Sequence, residues 1–279
     1  MKKLLFIIGI LYCGFLNAQT DFIRLNSPTT KQLLCIDFAD SETGYIGGEN
    51  ATLLKTTDGG VSWTDGIIKN APWVFSKMDI VQLQFINKDS GFAVVGNYKN
   101  RTTSSFLWST TDGGITWASI RININMVPWR IDATAFDTGI IGGSAFFQGS
   151  VISNLSGDSV KNLTSFSWDS NQSITGLARH KSNPSFIIAV TDRPSIHRSF
   201  DGGYTWDTLT NVFSNSFNDI IHVSGNLWVA CLESTKSIQA TRDSGKTWTS
   251  IATTFAYPAY SSIALSSTDS LVLVGYSGA

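Results

Sequence analysis

Charge is scarce in this chain and nearly balanced, with 20 Lys and Arg against 21 Asp and Glu in 279 residues. No basic excess exists to neutralise a row of phosphates, which excludes nucleic acid as a partner. Cysteine is scarcer still, at three. Cys13 lies in the N-terminal apolar run, whereas Cys35 and Cys231 sit in the apolar runs Leu33-Leu34-Cys35-Ile36 and Trp228-Val229-Ala230-Cys231. A disulfide framework is excluded, and the last two are expected to be buried free thiols. The three histidines, His180, His197 and His222, show no His-x-His or His/Glu metal spacing, so no metal and no cofactor is expected. A Gly-x-Ser-x-Gly elbow, a phosphate loop and any useful helical periodicity are also missing.

Long apolar runs are absent except from Leu4 to Leu16, which is shorter than the roughly 20 residues a spanning helix needs. Met1-Lys2-Lys3 precedes it and Asn17-Ala18-Gln19 comes after it, the layout of a signal peptide cut after Ala18. Residues 1–18 are therefore expected to be a leader and 19–279 a mature chain. That chain would be secreted or held at the cell envelope, with no membrane span after cleavage, and monomeric.

What the chain does have is Ser, Thr, Asn and Gly in a repeating pattern. Thr56-Thr-Asp58-Gly-Gly60-Val-Ser62-Trp63 returns as Thr110-Thr-Asp112-Gly-Gly114-Ile-Thr116-Trp117. It returns again as Ser199-Phe-Asp201-Gly-Gly203-Tyr-Thr205-Trp206 and Thr241-Arg-Asp243-Ser-Gly245-Lys-Thr247-Trp248. A decayed copy keeps Ser156 and Asp158 but has Val160 for the Gly and Leu163 for the Trp. The aspartates are spaced by 54, 46, 43 and 42 residues, the size of a four-stranded propeller blade.

Before each copy lie two short runs rich in aliphatic and aromatic residues, bounded by Gly, Asn and Asp, which read as strands. The fold expected is all-β, a β-propeller of four-stranded blades. About six blades are visible, roughly 30–68, 79–122, 130–165, 173–211, 217–253 and a partial 260–279, and a longer chain would allow seven. Either Phe22–Leu25 helps close the last blade, or the sequence is a piece of a longer one. Within each motif the Asp suits a tight hairpin by accepting backbone N–H bonds, the Gly permits positive φ, and the Trp packs on the sheet. Repeated in separate blades, these aspartates are held apart, so they read as structural rather than as catalytic or calcium-binding.

The motif is the Asp box, or BNR repeat, of sialidases, sortilin ectodomains and several glycoside hydrolases. The wider unit, from Phe38-Ala-Asp40 through Gly44-Tyr45-Ile46-Gly47-Gly48 to Lys55-Thr56-Thr57-Asp58, resembles the repeat of photosystem II stability/assembly factor-like propellers, including secreted bacterial ones. That resemblance implies a non-catalytic platform for binding or assembly; the alternative is an Asp-box glycoside hydrolase. A sialidase-like site wants an N-terminal Phe/Tyr-Arg-Ile-Pro, and Phe22-Ile23-Arg24-Leu25 does not match it. No catalytic residue is assigned.

The function expected is binding of a protein or glycan on the face opposite the Asp-box hairpins. Blade-to-blade connections carrying aromatics reach that face, together with the loops between second and third strands. The candidate ligand residues are Glu49, Asn50, Trp73, Tyr98, Arg101, Trp129, Arg130, Phe147, Trp168, Arg193, Glu233 and Tyr257. Such a ring can stack sugars or grip an extended peptide, though the same aromatics also suit packing between blades.

Overall fold

The computed structural model describes residues 4–8, 22–69, 77–97, 105–122, 126–145, 149–156, 159–165, 172–193, 195–210, 215–233, 237–252, 259–265 and 271–276. Two N-terminal strands, β1 (Leu4–Ile8) and β2 (Phe22–Asn26), precede the regular units. Blade one is β3 (Leu33–Phe38), β4 (Gly44–Gly48), β5 (Thr52–Thr56) and β6 (Thr64–Asp65). Blade two is β7 (Asp79–Phe85), β8 (Gly91–Gly96), β9 (Phe106–Thr110) and β10 (Ala118–Ile122). Blade three is β11 (Val127–Ala135), β12 (Thr138–Ala145), β13 (Gly149–Ser156) and β14 (Ser159–Ser165). Blade four is β15 (Ile174–His180), β16 (Asn183–Thr191), β17 (Ser195–Ser199) and β18 (Asp207–Thr210). Blade five is β19 (Phe217–Ser224), β20 (Leu227–Leu232), β21 (Ser237–Thr241) and β22 (Thr249–Ala252), followed by β23 (Ala259–Leu265) and β24 (Leu271–Tyr276).

Each unit is an antiparallel meander, so its first turn and its third-to-fourth hairpin emerge at one end, and the other connections at the opposite end. The second strands are buried on both faces and read as unbroken apolar runs such as Gly91–Gly96 and Leu227–Leu232. Ile36, Leu83, Ile131, Leu177, Ile220 and Ile263, one from each first strand, line a common cavity, so β3, β7, β11, β15, β19 and β23 surround one axis. The β-propeller expected from the repeat is the fold observed.

Every first strand carries the same irregularity. Register shifts fall between Leu33 and Cys35, Ile80 and Gln82, Pro128 and Arg130, Ile174 and Gly176, Phe217 and Asp219, and Tyr260 and Ser262. A bulge inserts one extra residue and re-aims the side chains beyond it. Cys35, Gln82, Arg130, Gly176, Asp219 and Ser262 therefore occupy one equivalent tier. Asp37, Gln84, Asp132, Ala178, Ile221 and Ala264, two residues on, occupy the next.

Two units differ from the sequence expectation. In the third, β13 and β14 pair Ser156 directly with Ser159, leaving only residues 157 and 158 between the strands. Val160 is a fully buried strand residue opposite Leu155 rather than a stand-in for a box glycine. The outer strand is long, and its Ser159 and Val160 meet Arg121 and Ile122 of β10 in parallel, joining blades two and three into one eight-stranded sheet. The last unit is a full four-stranded sheet in the order β2-β1-β24-β23, so the N-terminal strands complete what the sequence presented as partial. Phe22–Asn26 is its outermost strand, and Leu4–Ile8 lies inside it. Cys35 and Cys231 are buried free thiols.

Candidate functional site

The four intact boxes share one hydrogen-bond scheme. The opening hydroxyl of Thr56 donates to Asp58 Oδ1 at 2.6 Å and accepts from the Gly60 N–H at 3.0 Å. Asp58 also accepts from the Ser62 N–H at 3.0 Å and from the Ser62 hydroxyl. Trp63 Nε1–H donates to the Gly60 carbonyl at 3.1 Å. The same bonds recur at Thr110, Asp112, Gly114, Thr116 and Trp117, with the indole bond at 2.9 Å. They recur through Ser199, Asp201, Gly203 and Trp206, and through Thr241, Asp243, Gly245 and Trp248.

The Ser62 hydroxyl and N–H, with the Thr56 hydroxyl, pull the Asp58 carboxyl down to about 2. For Asp243, burial works the other way, but the bonds from Thr247 and Thr241 outweigh it and the group again lies near 2. Each box carboxylate is thus engaged by donors of its own turn. Asp158 lies outside the described residues, and Ser156 is exposed, its carbonyl accepting from the Ser159 hydroxyl at 3.3 Å.

The axis holds a second constellation, which lies in a cavity of about 250 Å³. Asp37, Gln82, Gln84, Asp132, Arg179, Lys181, Asp219 and His222 line it among apolar neighbours. These polar side chains knit each first strand to the next. Asp37 Oδ2 accepts from the Phe85 N–H at 2.5 Å. The Gln82 amide clasps both backbone groups of Ile131, at 2.6 and 2.9 Å, and Gln84 clasps those of Ala133 at 2.6 and 3.3 Å. Asp132 pairs with Arg179 Nε at 2.9 Å. Thr175 donates to the Phe217 carbonyl at 2.7 Å, and the Lys181 N–H to His222 Nδ1 at 3.0 Å. Asn218 donates to the Tyr260 carbonyl at 2.8 Å, and Asp219 Oδ2 accepts from the Ser262 hydroxyl at 2.6 Å. Finally the Ser261 hydroxyl donates to the Leu33 carbonyl at 3.2 Å, which brings the ring back to blade one.

Burial pushes the Asp37 carboxyl up to about 7, against the lowering pull of the Phe85 and Phe38 N–H groups. Burial also raises Asp219, offset in part by Arg130 and by the Ser262 hydroxyl. Arg130 reaches across the axis, its Nη2 donating to the Asn218 carbonyl at 2.9 Å. Among the described residues no group of His, Cys, Asp and Glu is arranged to hold a metal. A cavity of this size admits a small polar guest or water but no polymer.

Trp129 and Arg130 do not belong to the candidate ligand face. Trp129 is 2% exposed and Arg130 is 7% exposed. The Pro128-Trp129 pair suggests a connection, but both residues lie within β11, where the indole joins the core with Val94 and Ile131. Glu49, Asn50, Arg193 and Glu233 do fall in the second-to-third-strand loops. Glu49 is half-buried, its Oε2 accepting from the Gln32 N–H at 3.1 Å. Asp192 does the same for Ser173 at 2.9 Å in blade four, a repeated clamp on the start of the first strand. Asn50 takes a left-handed φ of 53°, its N–H donating to Asp79 Oδ1 at 3.1 Å. Arg193 and Glu233 are exposed. Trp73, Tyr98, Arg101, Phe147, Trp168 and Tyr257 lie outside the described residues. The axial set of Asp37, Gln82, Gln84, Asp132 and Asp219 was missed as a group; its signal is a polar residue at alternate positions of the apolar first strands of blades two and three, and single carboxylates in those of blades one and five.

Residues 17–139 match the family model described as photosynthesis system II assembly factor YCF48. A solved YCF48 with a bound D1 peptide superposes with a TM-score of 0.54 and 19% identity, covering 91% of this chain and 93% of the other. YCF48 from Cyanidioschyzon merolae gives 0.53 and 13%, covering 90% and 95%. The chain is similar to YCF48 in sequence over residues 17–139 and in fold over most of its length. The GH74 xyloglucanase from Xanthomonas campestris also superposes on this propeller, at 0.53 and 14% identity. That match covers 86% of this chain but 43% of the enzyme. A search among curated protein sequences finds no match. At these identities the solved structures speak to the fold.

Proposed function

We propose that this YCF48-like propeller is an exported, non-catalytic platform. It binds an extended segment of another polypeptide across the face opposite the Asp-box hairpins. The supporting observation is the likeness to YCF48 over nine-tenths of the chain, including a relative solved with a peptide bound. Two features agree with it. The box carboxylates are engaged by donors of their own turns, as structural groups would be. The far end presents exposed charged residues of both signs, Arg193 and Glu233, on loops anchored by regular backbone bonds.

The likeness to a xyloglucanase keeps a glycan ligand as the second reading. Peptide and glycan arrays, run beside a fluorogenic glycoside screen on the purified protein, separate the two. The expected outcome is retention of extended peptides, lost on joint Arg193→Glu and Glu233→Lys substitution in a protein that melts normally. Turnover of any glycoside, or glycan retention without peptide retention, defeats the platform reading.

A further inference from the structure

Blade six is built from two distant parts of the sequence. Its inner strands are β23 and β24, and β1 lies against β24 in antiparallel register, with Leu5 opposite Val274, Phe6 opposite Leu273, Ile7 opposite Val272 and Ile8 opposite Leu271. On its other edge β1 pairs antiparallel with β2, from Leu4 opposite Asn26 to Ile8 opposite Phe22. In the described sheet β2 joins the blade through β1 alone.

The residues of β1 are also the apolar run of the expected leader. The cut expected after Ala18 falls in the connection between β1 and β2. Cleavage there would detach the third strand while leaving the fourth on the mature chain. It would open a slot along β24 and leave β2, which joins the sheet through β1 alone, without a partner.

Such a slot does not stay empty at no cost. Leu271–Val274 are uncharged and buried, and the edge of β24 carries backbone groups now satisfied by β1. An apolar, proline-free, uncharged edge is a template for another strand. The present occupant defines what fits: five extended residues, apolar and uncharged, antiparallel to β24. Ladder bonds to the β24 edge would give affinity, and the apolar pattern would give selectivity. We propose that blade six of the cleaved protein is a strand acceptor, taking an apolar extended segment of a partner polypeptide in the place held by Leu4–Ile8. This inference rests on the export part of the functional reading, and it puts a second partner contact at the rim rather than on the face.

The test uses the full chain with a protease site placed after Ala18 and cut in place. A labelled peptide with the sequence of residues 1–10 is added, beside the same peptide carrying Phe6→Pro. The unmodified peptide is expected to replace the cut leader one for one, and to slow amide exchange at Leu271–Val274 by at least about tenfold relative to protein freed of the leader. The proline peptide should do neither. A Phe6→Cys peptide is expected to form a disulfide with Leu273→Cys protein, which reports the register.

If the cut protein unfolds when the leader leaves, refolding on peptide addition supports the acceptor and failure to refold overturns it. Protection of β24 after leader loss, with no peptide present, also overturns it, because a segment of the same chain then fills the slot. Sequencing the N-terminus of the protein made by its host tests export separately. A retained leader there refutes the export reading while leaving peptide uptake to be judged on its own.

Discussion

At the scale of single residues, the molecule uses carboxylates in two opposite ways. The box aspartates are held low by donors from their own turns, whereas burial drives the axial Asp37 up to about 7. His197 is the converse case: burial lowers it to about 4, and its ring bonds Thr208 at 2.9 Å. Proton counts set the pH consequences. Between about 4 and 7 the native Asp37 holds a proton that the unfolded chain has released, so its contribution to stability falls as pH rises through that window. Between about 4 and 6.5 the unfolded His197 holds a proton that the native state lacks, so its contribution rises with pH. The two oppose each other over most of the range. Asp37→Asn keeps an oxygen acceptor for the Phe85 N–H but removes the titration. The variant should therefore gain on the parent as pH rises from about 4.5 to 7.5, by a few kcal/mol at most. Urea unfolding at four pH values measures it, and a gap that stays constant with pH refutes the assignment.

At the scale of elements, the Asp box is a self-contained hairpin, and its logic was largely legible in the sequence. The Asp, Gly and hydroxyl roles follow from turn chemistry, and the recurrence of the unit pointed to the propeller fold. The indole bond to the box glycine carbonyl was not legible, because it depends on how the Trp folds back over its own turn. The third copy misleads for a related reason: Ser156, Asp158 and Val160 keep the motif's order, but a two-residue connection leaves no room for its loop. Trp129 misleads because a Pro-Trp pair looks like a connection, yet β11 begins at Val127. The axial polar residues were legible as an alternation in blades two and three but not as neighbours, since only ring closure brings six strands together. Asp112→Ala deletes the acceptor for the Thr110 hydroxyl and for the Thr116 N–H and hydroxyl, bonds of 2.9, 2.8 and 2.6 Å. The expected cost is about 1–3 kcal/mol in urea unfolding, with affinity for a face-bound peptide unchanged. Lost binding at unchanged stability would make the box a ligand site.

At the scale of the whole molecule, the decisive property is that the units form a ring. An open array of repeats gains stability from nearest neighbours and frays at its ends. Here every junction is bridged between first strands, through Asp37, Gln82 and Gln84, Asp132 with Arg179, Thr175, Asn218 with Asp219, and Ser261. The axial bulge recurs in all six blades and sets these residues at matching heights, so a seam lost anywhere loosens the same ring. Blade six carries the test, since it is joined to blade five by Asn218 and to blade one by Ser261. Each alanine substitution leaves one carbonyl without its donor and should cost about 1–2 kcal/mol. The box tryptophans report the junctions between blades, Trp63 packing with Ala264, Val272 and Val274 of blade six, while far-UV dichroism reports every strand. If the ring unfolds as one unit, Asn218→Ala with Ser261→Ala lowers a single transition, and the two signals stay coincident. The double-mutant cycle should then show non-additivity, because both bonds hold the same blade against the circle. Loss of part of the dichroism together with only the Trp63 share of the tryptophan signal, below the main transition, would mean that blade six detaches alone and that the ring is not the cooperative unit.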